Sequence, residues 1–327
     1  MKKINTTVFL FVILVLGVVS CQNQFKADVS KIPAENVKIV RYEQALFSSD
    51  FSESSIQNLQ QSFPLFLGNS KLDSMQKSQL MAYVKDPYLS KLYEESQRVW
   101  PNLKAPEQEL TESFRYLKHY FQGFRQPEIY TYISGSPEPV HYQDGIILVG
   151  IDNYLGFDSE PYNITQVPKY KQFAMSPDFL VKDIILAVSA SYINPPAATA
   201  SLLDHMIFEG KKLYFVKSMM PQISDKVLFT QTDTHLKWLN EKENHLWRYY
   251  VENELLYKAD YLAYNKFVAD APFTAVLGDD SAPRTGVWLG YQIVLSYMKK
   301  NKESLNQLID NQQAQQILQK SGYKPAR

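Results

Sequence analysis

Glu128-Ile-Tyr-Thr-Tyr-Ile-Ser134 and the run 140–150, which ends in Gly145-Ile-Ile-Leu-Val-Gly150, carry the β-branched and aromatic residues of strands between Gly and Pro punctuation. They read as a hairpin or as two neighbouring strands, and almost everything around them reads as helix. After Pro177 the apolar spacing predicts helices over 178–192, 200–219, 233–257 (with Thr232 as N-cap), 260–268 and 286–300, then a polar helix around 312–320. Before the strands it predicts helices near 71–84, 88–99 and 107–122, broken by Asp86-Pro87 and by the segment from Pro101 to Pro106. Asn36-Val-Lys-Ile-Val-Arg-Tyr42 alternates as a strand, and Ser54 or Ser55 is placed to cap a helix running to Phe63. No repeat and no linker divides 35–327. The expected fold class is α+β, a predominantly helical single domain with a small β-sheet.

Composition narrows the function classes. Lys and Arg together number 34, as do Asp and Glu, so no global field draws the chain to nucleic acid. With 22 Tyr and 18 Phe against 12 Gly in 327 residues, the chain has the means for an aromatic, packed core. A single cysteine excludes an intramolecular disulfide framework and a Cys-based zinc ribbon.

That cysteine has a context. Lys2 and Lys3 precede an apolar run over 8–19 that has the length of a signal-peptide core and is short for a bilayer span. The run closes in Val18-Val19-Ser20-Cys21, which looks like a bacterial lipobox, the site of cleavage and acylation. Residues 1–20 are therefore expected to be a lipoprotein signal peptide, 21–34 a polar lipidated tether, and 35–327 the helix-rich globular domain. Two or three acyl chains on Cys21 would anchor the protein stably without a spanning helix. Gln22-Asn23-Gln24 brings no Asp beside the cysteine and no acidic run, so a periplasm-facing lipoprotein is expected, with the outer membrane favoured over the inner.

Familiar catalytic signatures are missing from the sequence. There is no His-Glu dipeptide, hence no His-Glu-x-x-His zinc helix, and there is no Walker loop, Gly-x-Gly-x-x-Gly or Gly-x-Ser-x-Gly elbow. The most site-like stretch is Ser201-Leu-Leu-Asp-His-Met-Ile-Phe-Glu-Gly-Lys-Lys-Leu-Tyr-Phe215, where His205 and Glu209 lie four apart and share a helix face. Such a pair could ligate a metal or couple an acid to a base, but one His and one carboxylate leave a zinc site incomplete, and a hydrogen-bonded pair in a partly buried helix is the simpler reading. Arg284, in Asp279-Asp-Ser-Ala-Pro-Arg-Thr-Gly286, precedes a helix start, where a guanidinium could receive a carboxylate or pair with an internal acid. Glu241 and His245 share a face of a later helix and read as solvated. Asp152, Asp158 and Glu160 could hold calcium only with a spacing unlike a hand-type loop, and read as a polar surface loop.

A series of motifs then points to a family. After the lipobox come Asp28-Val-Ser-Lys-Ile32, Val37-Lys-Ile-Val-Arg-Tyr42, Phe63-Pro-Leu-Phe66, Leu117-Lys-His-Tyr-Phe121, Ile151-Asp-Asn-Tyr-Leu-Gly156, Met206-Ile-Phe-Glu-Gly-Lys-Lys-Leu-Tyr214, Ala271-Pro-Phe273, Pro283-Arg-Thr-Gly-Val-Trp-Leu-Gly-Tyr-Gln-Ile-Val-Leu-Ser-Tyr297 and Tyr323-Lys-Pro325. In this order they resemble the gliding-motility lipoprotein B (GldB) family over essentially the whole mature chain. The resemblance implies a lipoprotein required for, or associated with, surface gliding in bacteria without flagella. A more distant likeness is to zincin peptidases whose third zinc ligand is a Glu on the helix after the His-Glu-x-x-His helix. On that analogy Glu209 holds the third-ligand place, and the motif would fall near Ala187-Val-Ser-Ala-Ser191, where none of the three needed side chains stands.

The expectation is thus a non-enzymatic lipoprotein on a degenerate zincin-like scaffold. It would contact the membrane through lipid on Cys21 and other envelope proteins of the motility or secretion machinery, with no cofactor, no metal and no nucleic acid. Its residual cleft would hold His205, Glu209 and Arg284, with the last two meeting as a buried pair. The alternative is a hydrolase or peptidoglycan-handling enzyme with an atypical site built on the same three residues.

Overall fold

Residues 25, 27–197 and 199–325 are described by the computed structural model. Cys21 and the apolar run before it lie outside the described residues. The chain opens with β1 (Ile39–Arg41) and continues through α1 (Tyr42–Phe47), α2 (Glu53–Ser62), α3 (Pro64–Leu67), α4 (Ser74–Lys85), α5 (Pro87–Val99) and α6 (Lys104–Tyr120). Next come β2 (Glu128–Tyr132), β3 (Val140–Gln143) and β4 (Ile146–Gly150). The second half is helical: α7 (Glu160–Ile164), α8 (Lys169–Ala174), α9 (Leu180–Ser189), α10 (Leu202–Met219), α11 (Asp225–Phe229), α12 (Asp233–Glu252), α13 (Tyr261–Phe267), α14 (Thr285–Asn301), α15 (Leu305–Asp310) and α16 (Ala314–Ser321). The α+β class expected from the sequence holds.

Helix starts follow side-chain chemistry. Asp86 accepts from the amides of Tyr88 and Leu89, with Pro87 at the first helical position of α5. Ser201 and Asp204 form a reciprocal capping box at α10, and Thr232 caps α12 through the His235 amide, as expected. Ser52, not Ser54 or Ser55, caps α2, accepting from the Ser55 amide, because Ser52 is the residue with extended backbone there. The strand read over 36–42 shortens to β1, since Tyr42 already begins a helix.

The sheet has the order β1-β2-β4-β3, with β1, β2 and β4 parallel and β3 antiparallel at one edge. The run 140–150 is itself a hairpin. Asp144 (φ 50°) and Gly145 (φ 80°) both adopt positive φ, as a two-residue turn joining right-twisted strands requires. At the opposite edge, α6 side chains cover β1: the Val37 amide donates to Thr111 Oγ1 at 3.0 Å and the Ile39 amide to Glu107 Oε1 at 2.9 Å.

One face of the sheet buries Ile129, Ile147 and Val149 in the main core with α6, α9, α10 and α14. The other supports a small aromatic cluster in which Tyr42 stacks on Phe66 at 3.9 Å and Phe66 meets Tyr130 edge-on at 5.8 Å. Below the sheet, α10 and α14 cross so closely that a Cβ on Gly290 would sit 1.9 Å from the Met206 carbonyl oxygen, and one on Gly210 would sit 2.4 Å from that of Gly290. This crossing fixes where Glu209 and Arg284 stand relative to each other.

The segment expected as a tether, 21–34, is held against the domain over its described part: Val29 is buried, and Arg115 of α6 donates to the carbonyls of Val29 and Ile32.

Candidate functional site

The spacing of four residues puts His205 and Glu209 on one face of α10. His205 meets Tyr264 of α13 edge-on at 4.8 Å between ring centres. Burial holds the His205 imidazole below its ordinary value, partly offset by the nearby Asp204 and Glu209 carboxylates. Tyr264 is raised, first by burial and then by the charge on Glu209.

Glu209 is committed to cations. Lys212, one turn along α10, donates from Nζ to both carboxylate oxygens at 2.9 and 3.1 Å and lies 4.9 Å over the Phe208 ring. Arg284 approaches from the start of α14, with Nη2 3.8 Å from Glu209 Oε2. Its backbone is left-handed (φ 55°), unusual for a residue with a side chain. Its Nε donates to the Val268 carbonyl at 3.2 Å and stands 3.5 Å from Asp270 Oδ1. Glu209 and Arg284 do come together, but as one loose ion pair, with the Arg284 side chain 29% exposed and the closer seat on Glu209 taken by Lys212. A buried bidentate fork does not form, since Arg284 is shared among three acceptors.

Two hollows flank this cluster. The first, of about 340 Å³, is lined by Pro139, Asn153, Tyr170, Asp183, His235 and Arg284 among others. The second, of about 330 Å³, shares Pro139 and Asp183 and runs to Ala187, Ala190, Phe208 and Lys212. Arg284 on one wall and Lys212 on the other thus both turn to the same carboxylate. Of the Ala187–Ser191 stretch, Ala187 lines the second hollow, Val188 is buried, and Ser191 is exposed past the end of α9.

Asp183, on the wall common to both hollows, was not singled out from the sequence. Its carboxylate accepts the Tyr154 hydroxyl at 3.0 Å and lies 2.6 Å from Lys182 Nζ, which also donates to Thr230 Oγ1 at 3.1 Å. The signal was present: Lys182-Asp183 are the only charges inside the apolar helix Leu180–Ser189. Asp152 is likewise no surface calcium ligand. Buried after β4, it accepts from the Ser134 amide at 2.7 Å, the Ser134 hydroxyl at 2.9 Å and the Gly135 amide at 2.9 Å, tying the β2 and β4 ends together. Burial raises its carboxyl while these bonds oppose the shift. Asp158 pairs with Lys169 and Glu160 with Lys91 at the surface. Glu241 and His245 are exposed on α12, as read from the sequence.

Among the described residues, no group of three or more His, Cys, Asp and Glu is arranged to hold a metal ion, and no helix is long and apolar enough to cross a membrane. No curated protein and no solved structure gives a significant match to the chain. The family model described as gliding motility protein GldB matches residues 22–325, from just after Cys21 to the end of the described chain. With so nearly complete a match, the chain belongs to the gliding motility protein GldB family.

Proposed function

We propose that this chain is a cell-envelope lipoprotein, anchored by acyl chains on Cys21 and facing the periplasm, the outer membrane being favoured over the inner. It serves the gliding machinery or an associated secretion apparatus through protein contacts rather than by catalysis. Family membership supports the motility role. The observation that carries the non-enzymatic reading is the state of Glu209, whose two oxygens are engaged by Lys212 and whose second neighbour is Arg284. A carboxylate held by two cations of its own chain is electrostatically satisfied and presents little to a metal or a substrate proton.

The scaffold is read as a degenerate zincin-like one. In support, a mixed sheet with an antiparallel edge strand packs on α9, and the next helix carries Glu209. The slot for two ligands and a base, at the end of α9 and just beyond it, holds Ala187, Val188 and Ser191.

The test is gene replacement in the parent cell. Cys21→Ala should release the protein from the membrane fraction and abolish colony spreading, whereas Glu209→Gln should leave both in place. Spreading lost with Glu209→Gln at normal protein level, together with stoichiometric zinc on the purified wild type, would return the hydrolase reading.

A further inference from the structure

The described N-terminal segment is a strap, not a leash. The Phe25 ring packs 4.9 Å from that of Tyr214 on α10 and joins the main core. Asp28 closes a turn by accepting from the Ser30 amide at 3.0 Å, and Val29 is 8% exposed. Arg115 donates to the carbonyls of Val29 at 2.7 Å and Ile32 at 3.1 Å, and Lys118 pairs with Glu35 at 2.6 Å. Phe25 is thus held on α10, and the stretch from Val29 to Glu35 on the C-terminal half of α6.

Only Gln22, Asn23 and Gln24 separate Cys21 from Phe25. At no more than about 3.5 Å per residue, Phe25 lies within about 14 Å of Cys21, whereas a free tether over 21–34 would have reached about 50 Å. The strap also has a direction. It enters β1 beside Asn36, so the N-terminal ends of the parallel strands β1, β2 and β4 lie toward it and their C-terminal ends away from it. Pro137 and Pro139 follow β2 and Asn153 follows β4, which places this wall of the larger hollow at the far end. The small aromatic cluster on α1 and α3, past the end of β1, shares that end.

We infer that the domain rests on the lipid headgroups by the strap and the C-terminal end of α6, and turns its cleft away from the membrane toward the aqueous compartment. The partner surface is the leaflet into which Cys21 is inserted; the inference rests on the acylation proposed above. A short fastened tether makes the contact obligatory and leaves the cleft end free for other proteins.

The test uses the full, acylated protein in vesicles of phosphatidylethanolamine and phosphatidylglycerol that carry a headgroup nitroxide. Because Cys21 is the chain's one cysteine and its thiol is consumed by acylation, single cysteines at exposed positions take a fluorophore selectively. Lys31→Cys and Gln122→Cys report on the strap end, and Glu138→Cys, between the end of β2 and the start of β3, on the opposite end; all three positions are exposed. The expected result is loss of most fluorescence at positions 31 and 122 and none at 138. Equal quenching at all three, or the reverse order, would overturn the orientation. A flexible insertion of about twelve residues after Gln24, with a root-mean-square span of about 20 Å, should restore fluorescence at position 31; unchanged quenching would overturn the short tether as its cause. Intact mass on the same samples separates the two claims. Acylated protein with uniform quenching sinks the orientation alone, and unacylated Cys21 sinks both.

Discussion

Replacing Gly290 by alanine puts a methyl group into the centre of the fold at the closest approach found among its described glycines. In an ordinary helix interior Gly→Ala stabilises by about 1 kcal/mol, because glycine has more backbone freedom to lose. Here the new Cβ would lie 1.9 Å from the Met206 carbonyl oxygen and 2.5 Å from its carbonyl carbon. Ordinary contact needs well over 3 Å, so α14 must retreat from α10 by more than 1 Å along a contact that both helices bury. The obstacle is backbone, and no rotamer change relieves it. Overpacking typically costs about 1–3 kcal/mol where side chains can adjust, and more where they cannot. Against the propensity gain, the net expectation is a loss of about 2 kcal/mol or more. Gly210→Ala, facing the Gly290 carbonyl oxygen at 2.4 Å, should act on the same crossing and combine with Gly290→Ala non-additively. Gly123→Ala, with nothing within 4 Å of its Cβ, is the control and should stay within about 0.5 kcal/mol of wild type. Urea denaturation of the non-acylated protein, followed by circular dichroism, gives the three free energies. A Gly290→Ala protein as stable as wild type, or more stable, would refute the close crossing on which the placement of Glu209 against Arg284 depends.

Asp152→Ala should cost about 2 kcal/mol in the same assay, since it removes the buried charged acceptor of the Ser134 and Gly135 amides, and Asp152→Asn should cost less; a neutral Asp152→Ala would contradict the bonding described. Around Glu209, a double-mutant cycle should couple Glu209 more strongly to Lys212 than to Arg284, each by about 1 kcal/mol or less because the partners are partly exposed; a larger coupling to Arg284 would restore a buried pair. On the acid side, burial holds His205 and His235 below their ordinary value of 6.5. The unfolded chain then takes up protons first as pH falls, so their contribution is full above about pH 6.5 and is lost as pH drops through the folded-state values. The double variant His205→Gln, His235→Gln should flatten the stability profile between about pH 7 and 5, and an unchanged profile would argue against burial of either ring.

The sequence was most readable where a contact closes within a few residues. Thr232 capping α12 and Pro87 opening α5 act over two to four positions, and local chemistry specifies them. What was not readable depends on partners far along the chain. The parallel pairing of β1 with β2 joins residues about 90 positions apart, so the strand runs at 36–42, 128–134 and 140–150 could be found but not their order. The strap looked like a polar linker because its anchors, Arg115 and Tyr214, lie on α6 and α10 and nothing in 22–34 announces them. Glu43 is a similar case. It sits in a short amphipathic stretch, yet it is almost fully buried, held by Arg41 Nε at 2.7 Å and by the Thr131 hydroxyl at 2.7 Å, an arrangement visible only once β2 is laid beside β1.

The candidate site divides in the same way. Sharing of a helix face by His205 and Glu209 followed from their spacing, and the approach of Arg284 followed from the expectation that a buried carboxylate needs a cation. That Lys212 would take the nearer seat was legible too, since it stands three residues after Glu209, but the more distant arginine drew attention first. Asp183 escaped because Tyr154 and Thr230, which bond the Lys182–Asp183 pair, come from two other parts of the chain.

The proposed envelope role and the proposed orientation on the membrane both rest on lipid attachment at Cys21, and the intact mass of protein extracted from the parent cell's membranes tests that attachment most directly. The expected result is a mature chain beginning at Cys21 and heavier than its sequence by a diacylglyceryl group, with or without a further N-acyl chain. A chain that begins elsewhere, or one whose Cys21 carries a free thiol, would contradict it.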